Sequence, residues 1–289
     1  MAVFLFPGQG SQKEGMGKEL HDSSIEAKSL FEQADSILGF SLSDIMFNGS
    51  NEDLLKTRVT QPAVCLNAYI RFKMTNDIAP SAVAGHSLGE LTALMANGCL
   101  TFEDGLKLVS LRAEAMQKAC DETKGTMAAI LGLEDDMIAD ICANTNETVV
   151  AANFNCPGQV VISGTHNGVN IAMEKAKEHG ARRVILLPVN GAFHSPLMQS
   201  AQTALSEAIE QTTFSTPKVP VYQNVSAIAE SDPSRIKSNL IKQLTNSVKW
   251  THTMKQMIAD GETEFVEFGA KVLSGFIRKV DRSLTVNQL

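Results

Sequence analysis

The stretch AVAGHSLGE at residues 82–90 carries information on both the architecture and the chemistry of the chain. Residues 85–89 match the pattern Gly-x-Ser-x-Gly, with Ser87 at its centre. A short apolar segment precedes the pattern and a helical segment follows it, which is the strand–turn–helix setting of a nucleophile elbow. The glycines allow a tight turn without Cβ clashes. The N–H groups of the helix N-terminus could then stabilise an oxyanion.

Ser87 also has a simpler interpretation. Ser87 and Glu90 are spaced as Ser-x-x-Glu, the pattern of a capping box, and this alone would make Ser87 an ordinary helix N-cap. Because short motifs match by chance, the pattern by itself supports the nucleophile and the cap about equally.

Outward from this stretch, predicted strands and helices alternate, which favours an α/β fold with a central, mainly parallel sheet. Strands are predicted over residues 2–6, 81–84, 219–223 and 264–268. Helices are predicted over residues 24–38, 52–56, 62–76, 88–97, 104–120, 234–244, 250–259 and 271–280. Another helix is predicted to begin at Ser195-Pro196, an N-cap followed by proline.

A different order of elements occupies residues 126–187. Predicted strands at 126–131, 148–153, 159–163 and 183–187, with helices at 134–143 and 167–179, follow the ferredoxin-like order β-α-β-β-α-β. We therefore predict an α/β-hydrolase-like large domain of residues 1–124 and 190–289. A small ferredoxin-like subdomain is predicted to be inserted at residues 125–189.

Composition and charge limit the classes of function. The 289 residues are 44% hydrophobic and 20% charged, which is ordinary for a globular protein. A net charge of -7 argues against nucleic acid as a partner. No apolar run approaches the roughly 20 residues of a membrane helix, so no membrane partner is expected. Cysteines without Cys-x-x-Cys spacing favour reduced thiols in a cytoplasmic protein, and the histidines lack metal-ligand spacing.

A nucleophilic serine needs a base within hydrogen-bond reach. His194 lies in the loop 189–196, between a predicted strand and a helix N-terminus, where catalytic residues often occur. His86 adjoins the serine, but neighbours on a turn generally point apart. From position alone, a solvent-exposed loop histidine is at least as well supported for His194.

Arg112 interrupts an apolar stripe. In the helix that begins at Asp104, it lies on the same face as Val109 and Met116. A guanidinium that faces the core needs an anionic partner, because an unpaired buried charge is very costly. A structural salt bridge or a snorkelling stem is the simpler interpretation. The alternative is a fork that binds a substrate carboxylate at two points.

Ordered motifs along nearly the whole chain resemble those of the malonyl-CoA:acyl carrier protein transacylases, the malonyltransferases of fatty acid synthesis. The matching segments are FPGQGSQ at 6–12, TQPA at 60–63, GHSLGE at 85–90, Leu111-Arg112, NFN at 153–155, PGQ at 157–159, GAFHS at 191–195, Gln243-Leu244 and Trp250. The chain departs from the family at EFGAK, residues 267–271, where the family often shows Glu-x-Gly-Pro-Gly-Lys. The shorter segment leaves the geometry of this loop open.

The resemblance implies a ping-pong mechanism. Ser87 would be the nucleophile that holds the malonyl group, and His194 the general base and then acid. Arg112 would bind the free carboxylate of the malonyl group. The backbone carbonyl of Gln243 would orient His194 in place of a third catalytic side chain.

The remaining implied roles concern substrates. Backbone N–H groups of Gln9 and Leu88 would form the oxyanion hole, and Gln61 and Asn155 would help bind the substrate. The substrates would be malonyl-CoA and holo acyl carrier protein. No cofactor is expected, since the coenzyme A thioester is itself a substrate, and the enzyme is expected to act as a monomer.

Two other classes of function stay open. An α/β-hydrolase shares the elbow but would need an Asp or Glu between the serine and the histidine, and the candidates are Asp135, Asp136 and Asp140. That class leaves Arg112 unexplained. A non-catalytic module that binds acyl-CoA or a carrier protein would need no nucleophile.

The carrier protein of this family is usually acidic, and so is this chain. We therefore hypothesise a local basic rim, formed by Lys271, Arg278, Lys279 and Arg182 or Arg183. An ordinary solvated face is nearly as well supported.

Overall fold

A computed structural model of the chain describes residues 1–75 and 79–289. The strands in these residues are β1 (Ala2–Phe6), β2 (Pro80–Gly85), β3 (Thr126–Leu131), β4 (Val149–Cys156), β5 (Gln159–Gly164), β6 (Arg183–Leu186), β7 (Val221–Tyr222), β8 (Ala229–Glu230), β9 (Glu264–Glu267) and β10 (Thr285–Gln288). The α-helices are α1 (Lys18–Ser23), α2 (Ile25–Leu38), α3 (Leu42–Asn48), α4 (Asn51–Leu55), α5 (Thr57–Lys73), α6 (Gly89–Ala96), α7 (Phe102–Glu122), α8 (Asp135–Ala143), α9 (His166–Glu178), α10 (Gln199–Gln211), α11 (Pro233–Lys242), α12 (Trp250–Ala259) and α13 (Leu273–Val280). A 3₁₀ turn at Pro196–Met198 precedes α10.

The larger sheet is mainly parallel. Its strand order is β10-β9-β1-β2-β7-β8, and only the pairing of β7 with β8 is antiparallel. All five residues of β1 are buried, as expected for an apolar strand that is covered on both faces. Because the carboxyl ends of parallel strands meet at one edge, the loops after β1, β2 and β7 open at the same place.

The smaller sheet has the order β4-β5-β3-β6, with antiparallel pairing throughout. Helices α8 and α9 supply apolar residues to the core on one of its faces. The predicted fold class, a central mainly parallel sheet with a small second sheet, is confirmed. Every strand of the smaller sheet lies within residues 125–189, but the predicted domain boundaries themselves stay a prediction.

A short segment before α12 joins the two sheets. The N–H of Val248 donates to the carbonyl of Ala152 at 2.8 Å, and the N–H of Phe154 donates to the carbonyl of Val248 at 2.9 Å. The hydroxyl of Thr251 donates to the carbonyl of Phe154. These bonds occupy the outer edge of β4. The N–H of Lys249 donates to the carbonyl of Asn224, just after β7 of the larger sheet, at 2.9 Å, so the segment contacts both sheets.

The helix predicted over residues 62–76 begins earlier, at Thr57. The predicted helix starts at Pro62, whereas Pro62 lies inside α5. The helix keeps its course because every residue from Val59 to Ile70 is buried against the core, which outweighs the single backbone hydrogen bond that Pro62 cannot donate. The predicted end at Asn76 lies outside the described residues.

The sequence prediction missed α1, α3, β8 and β10. These elements are short, and β10 alternates exposed and half-buried residues at the edge of the sheet, so hydrophobic periodicity gives little signal. In the ranges that the structure describes, we find no helix whose length and hydrophobicity would allow it to cross a membrane.

Candidate active site

Ser87 lies on the turn between β2 and α6, and the turn requires both flanking glycines. A Cβ at Gly85 would lie 1.9 Å from the backbone of Gly89, and a Cβ at Gly89 would lie 2.0 Å from the carbonyl oxygen of Phe6. Ser87 has φ of 53°, a left-handed conformation that non-glycine residues seldom adopt. The turn therefore has the geometry of a nucleophile elbow, and such strain is typical of functional sites.

The capping interpretation of Ser87 is wrong. Helix α6 begins at Gly89, and its N-cap residue, Leu88, makes no side-chain cap bond. The Ser87 hydroxyl instead lies 2.7 Å from Nε2 of His194 and accepts a hydrogen bond from Arg112 at 2.9 Å. Residues far apart in the sequence thus meet at one oxygen.

His194 is oriented to accept a proton from Ser87. Its Nδ1 lies 2.9 Å from the backbone carbonyl of Gln243, which can only accept, so Nδ1 carries the proton and Nε2 presents its lone pair to Ser87. His194 also has a left-handed backbone, with φ of 57°. Burial, together with the nearby positive charge of Arg112, lowers the pKa of His194 to about 3. The imidazole is therefore neutral, the form that a general base requires.

Arg112 is 1% exposed and points into the site from α7. Its guanidinium donates to Oε1 of Gln61 at 2.6 Å, to Ser87 and to Oε1 of Gln243 at 3.1 Å. None of the ion pairs among the described residues includes it, so the structural salt bridge considered from the sequence is absent there. Burial lowers the pKa of Arg112 to about 10, which still leaves it charged at neutral pH.

A cleft of about 720 Å³ opens above Ser87. Its walls come from both sheets and from α13. Its lining includes Gln9, Leu88, Asn155, Leu187, Leu273 and Phe276. The N–H groups of Gln9 and Leu88 make no hydrogen bond with the parts of the chain that the structure describes. Both residues border the same cleft as Ser87, where a substrate carbonyl would lie.

The remaining predicted site residues lie in two different places. Asn155 lines the cleft, and its Oδ1 lies 2.8 Å from Nε2 of His86. Nε2 of His86 is therefore paired with Asn155 and not with Ser87. Gln61 is fully buried; its Oε1 accepts from Arg112 and its Nε2 donates to the sulfur of Met116, a residue that lines the cleft. Its position is that of a support for the guanidinium.

The shortened loop at residues 267–271 has a defined geometry. The buried carboxylate of Glu267 accepts hydrogen bonds from the N–H groups of Val272, Leu273 and Ser274, at 3.0, 2.8 and 2.8 Å. These N–H groups lie at the start of α13 and have no partner within the helix, so Glu267 supplies their hydrogen-bond acceptor. The helix in turn presents Leu273 and Phe276 to the cleft.

The side chains of Glu90, Asn224 and Gln243 also belong to the site, and sequence reasoning missed them. Oδ1 of Asn224 accepts the N–H of Ser87 at 2.6 Å, and Nε2 of Gln243 donates to the Ser87 carbonyl at 3.1 Å. Glu90 had a detectable signal, since it is a charge within an apolar helix, as Arg112 is. Asn224 had only its place after a predicted strand.

Among residues 1–75 and 79–289, the hydrolase alternative has no third catalytic residue at His194. No carboxylate in the described ranges contacts His194, because a backbone carbonyl occupies Nδ1. Asp135, Asp136 and Asp140 all lie on α8, beside the smaller sheet.

Known proteins resemble the chain over nearly its full length. A family model described as an acyl transferase domain matches residues 3–279. The malonyl CoA-acyl carrier protein transacylase of Bacillus subtilis (strain 168) is 44% identical, across 98% of this chain and 91% of that protein. The protein of the same name from Staphylococcus aureus (strain MRSA252) is 37% identical, across 99% and 94%.

Solved structures give the same result. An acyl carrier protein S-malonyltransferase from Vibrio cholerae matches with a TM-score of 0.95 and 39% identity, covering 99% of this chain and 96% of that one. A malonyl-transacylase in complex with a type II PKS acyl-carrier protein matches with a TM-score of 0.96 and 34% identity, covering 99% and 95%.

Proposed function

The chain belongs to the acyl transferase family, as a member of the malonyl CoA-acyl carrier protein transacylases, and from this premise we propose that it transfers a malonyl group from coenzyme A to the phosphopantetheine thiol of an acyl carrier protein. The observation that carries the proposal is the contact of Ser87 with both His194 and Arg112. A nucleophile, a neutral base and a buried cation meet there.

In the first half-reaction, Ser87 Oγ attacks the thioester carbonyl of malonyl-CoA while Nε2 of His194 takes its proton. The N–H groups of Gln9 and Leu88 stabilise the oxyanion. The C–S bond breaks, the leaving thiolate takes the proton from His194, and the malonyl group remains as an ester of Ser87.

In the second half-reaction, His194 takes the proton of the carrier thiol, whose sulfur attacks the ester. The C–O bond breaks and His194 returns the proton to Ser87. Throughout, Arg112 binds the malonyl carboxylate, for which its position 2.9 Å from Ser87 Oγ is suited. The substrate itself supplies the acyl group and the leaving thiol, so no cofactor is invoked. Action as a monomer and a cytoplasmic location stay predictions.

A mass measurement tests the proposal. Incubation with malonyl-CoA, without carrier protein, should give a protein heavier by one malonyl group, and peptide mapping should locate it on Ser87. The ester should persist until holo acyl carrier protein is added, and the group should then move to the carrier. Steady release of free malonate without carrier would favour a hydrolase, and an unmodified protein would favour a binding module.

The basic rim is proposed to receive the acidic carrier. Lys271, Arg278, Lys279, Arg182 and Arg183 are all exposed, and none takes part in an ion pair among the described residues. The first three lie on or beside α13, the helix whose Leu273 and Phe276 line the cleft. The other two lie at the start of β6, from which the chain continues to cleft residue Leu187.

Charge reversal tests this surface. The double variant Arg278→Glu/Lys279→Glu should raise the KM for the carrier protein by about tenfold, because charges at an interface chiefly steer association. Acylation by malonyl-CoA should stay within about twofold of the native rate. Lys28→Glu is the matched control, an exposed charge on α2, which contributes nothing to the cleft. Equal carrier KM values for all three proteins would remove the rim from the proposal.

A further inference from the structure

Asn224 holds both sides of the nucleophile turn with one amide group. Its Oδ1 accepts the N–H of Ser87 at 2.6 Å, and its Nδ2 donates to the carbonyl of Gly85 at 2.7 Å. A strained turn leaves such groups without strand or helix partners. Since Asn224 is fully buried, no water can replace these two bonds without rearrangement.

Glu90 in turn fixes the backbone of Asn224. Its Oε2 accepts the N–H of Asn224 at 2.7 Å, and its Oε1 accepts from Nε2 of Gln223 at 3.1 Å. Glu90 lies on α6, less than one helical turn beyond Ser87. The connections therefore close a ring that runs from Ser87 to Asn224, on to Glu90, and back along the helix to Ser87.

The ring contains a buried acidic residue that pairs with no cation within 4.0 Å among the described residues. A carboxyl group of this kind is costly in a core and is tolerated only where its hydrogen bonds are satisfied. An apolar side chain at this position would leave the buried N–H of Asn224 without its acceptor. The ring is also adjacent to the base, since Gln243 donates to Asn224 Oδ1 and its carbonyl orients His194.

We propose that Asn224 is a positioning residue for acyl transfer, which sets the direction of the Ser87 hydroxyl towards His194 and Arg112, and that Glu90 holds Asn224 in place for this purpose. The inference rests on the proposed use of Ser87 as the nucleophile. Asn224 touches no reacting atom and acts through the backbone of the turn.

The test compares two buried asparagines that make equivalent bonds. Asn97 also joins two backbone groups with one amide, accepting from Cys99 and donating to Val219, but it lies outside the cleft. Asn224→Ala should lower the maximal rate of Ser87 acylation by about a hundredfold, with little change in KM, because small misplacements of a nucleophile are that costly. Asn97→Ala should lower the melting temperature but leave acylation within about threefold.

A second readout does not depend on the substrate. A fluorophosphonate probe reacts with serine hydroxyls that a base activates, so its labelling of Ser87 should slow in Asn224→Ala by a similar factor. If the native protein is labelled but takes up no malonyl group, the proposed substrate fails while the positioning role is still tested.

A second variant serves if Asn224→Ala does not fold. Asn224→Asp keeps the acceptor for Ser87 and loses the donor to Gly85, and its acylation should be slowed at least tenfold. Native rates of acylation and labelling in a folded Asn224 variant would overturn the inference.

Discussion

Replacing His194 with alanine should slow the formation of acyl-Ser87 by about a thousandfold, since removal of a positioned general base costs roughly 10²–10⁴ in rate. The variant keeps Ser87, Arg112 and the oxyanion donors, so binding of malonyl-CoA should change little. The effect should therefore fall on the single-turnover rate at saturating substrate, measured by rapid quench.

The pH dependence of the native enzyme gives a second test. Burial lowers the pKa of His194 to about 3, so the native acylation rate should stay constant well below pH 6.5, the ordinary pKa of histidine. It should fall only when His194 becomes protonated.

The control is His252→Ala. His252 is an exposed histidine whose ring packs edge-on against Phe154, and it lies outside the cleft lining. Its loss should leave acylation nearly native. If His194→Ala acylated at a comparable rate, or if the native rate fell with a midpoint near pH 6.5, the assignment of His194 as the base would be wrong.

Local sequence patterns could predict much of the fold because apolar periodicity and turn residues act locally. The order β-α-β-β-α-β and the buried strand Ala2–Phe6 follow from such patterns. Pro62 shows the limit. A proline normally marks a boundary, but here the packing of its neighbours in α5 decides, and packing is not visible in a local window.

The candidate site divides in a similar way. Arg112 could be found from its own helix, because a charged residue on an otherwise apolar face is unexpected there. His194 could be placed at Ser87 only by resemblance, since the two residues are joined by tertiary structure. Asn224 could be found neither from a local pattern nor from the resemblance. It matters because the turn at Ser87 leaves two backbone groups without partners, and Asn224 binds both. The sequence around Asn224 gives no sign of this.

Arg112→Ala should reverse the choice between malonyl and acetyl groups. The buried guanidinium of Arg112 has no carboxylate partner among the described residues, so it is free to bind the carboxylate of the malonyl group. Breaking a buried ion pair of this kind costs about 3–5 kcal/mol. The kcat/KM for malonyl-CoA should therefore fall by roughly two-hundredfold to several-thousandfold. Acetyl-CoA has no carboxylate to lose, so its kcat/KM should change far less.

The ratio of kcat/KM for malonyl-CoA to kcat/KM for acetyl-CoA separates loss of carboxylate recognition from general damage to the site. Loss of the hydrogen bond from Arg112 to Ser87, and of the positive charge near His194, acts on acetyl and malonyl transfer alike and cancels in the ratio. Arg112→Lys keeps the charge but not the planar fork, so it should recover only part of the preference for malonyl. Arg112→Met keeps the bulk without the charge and should behave like alanine in the ratio. Equal losses for both acyl groups would mean that Arg112 supports the site without reading the substrate, and the malonyl carboxylate would need another partner in the cleft.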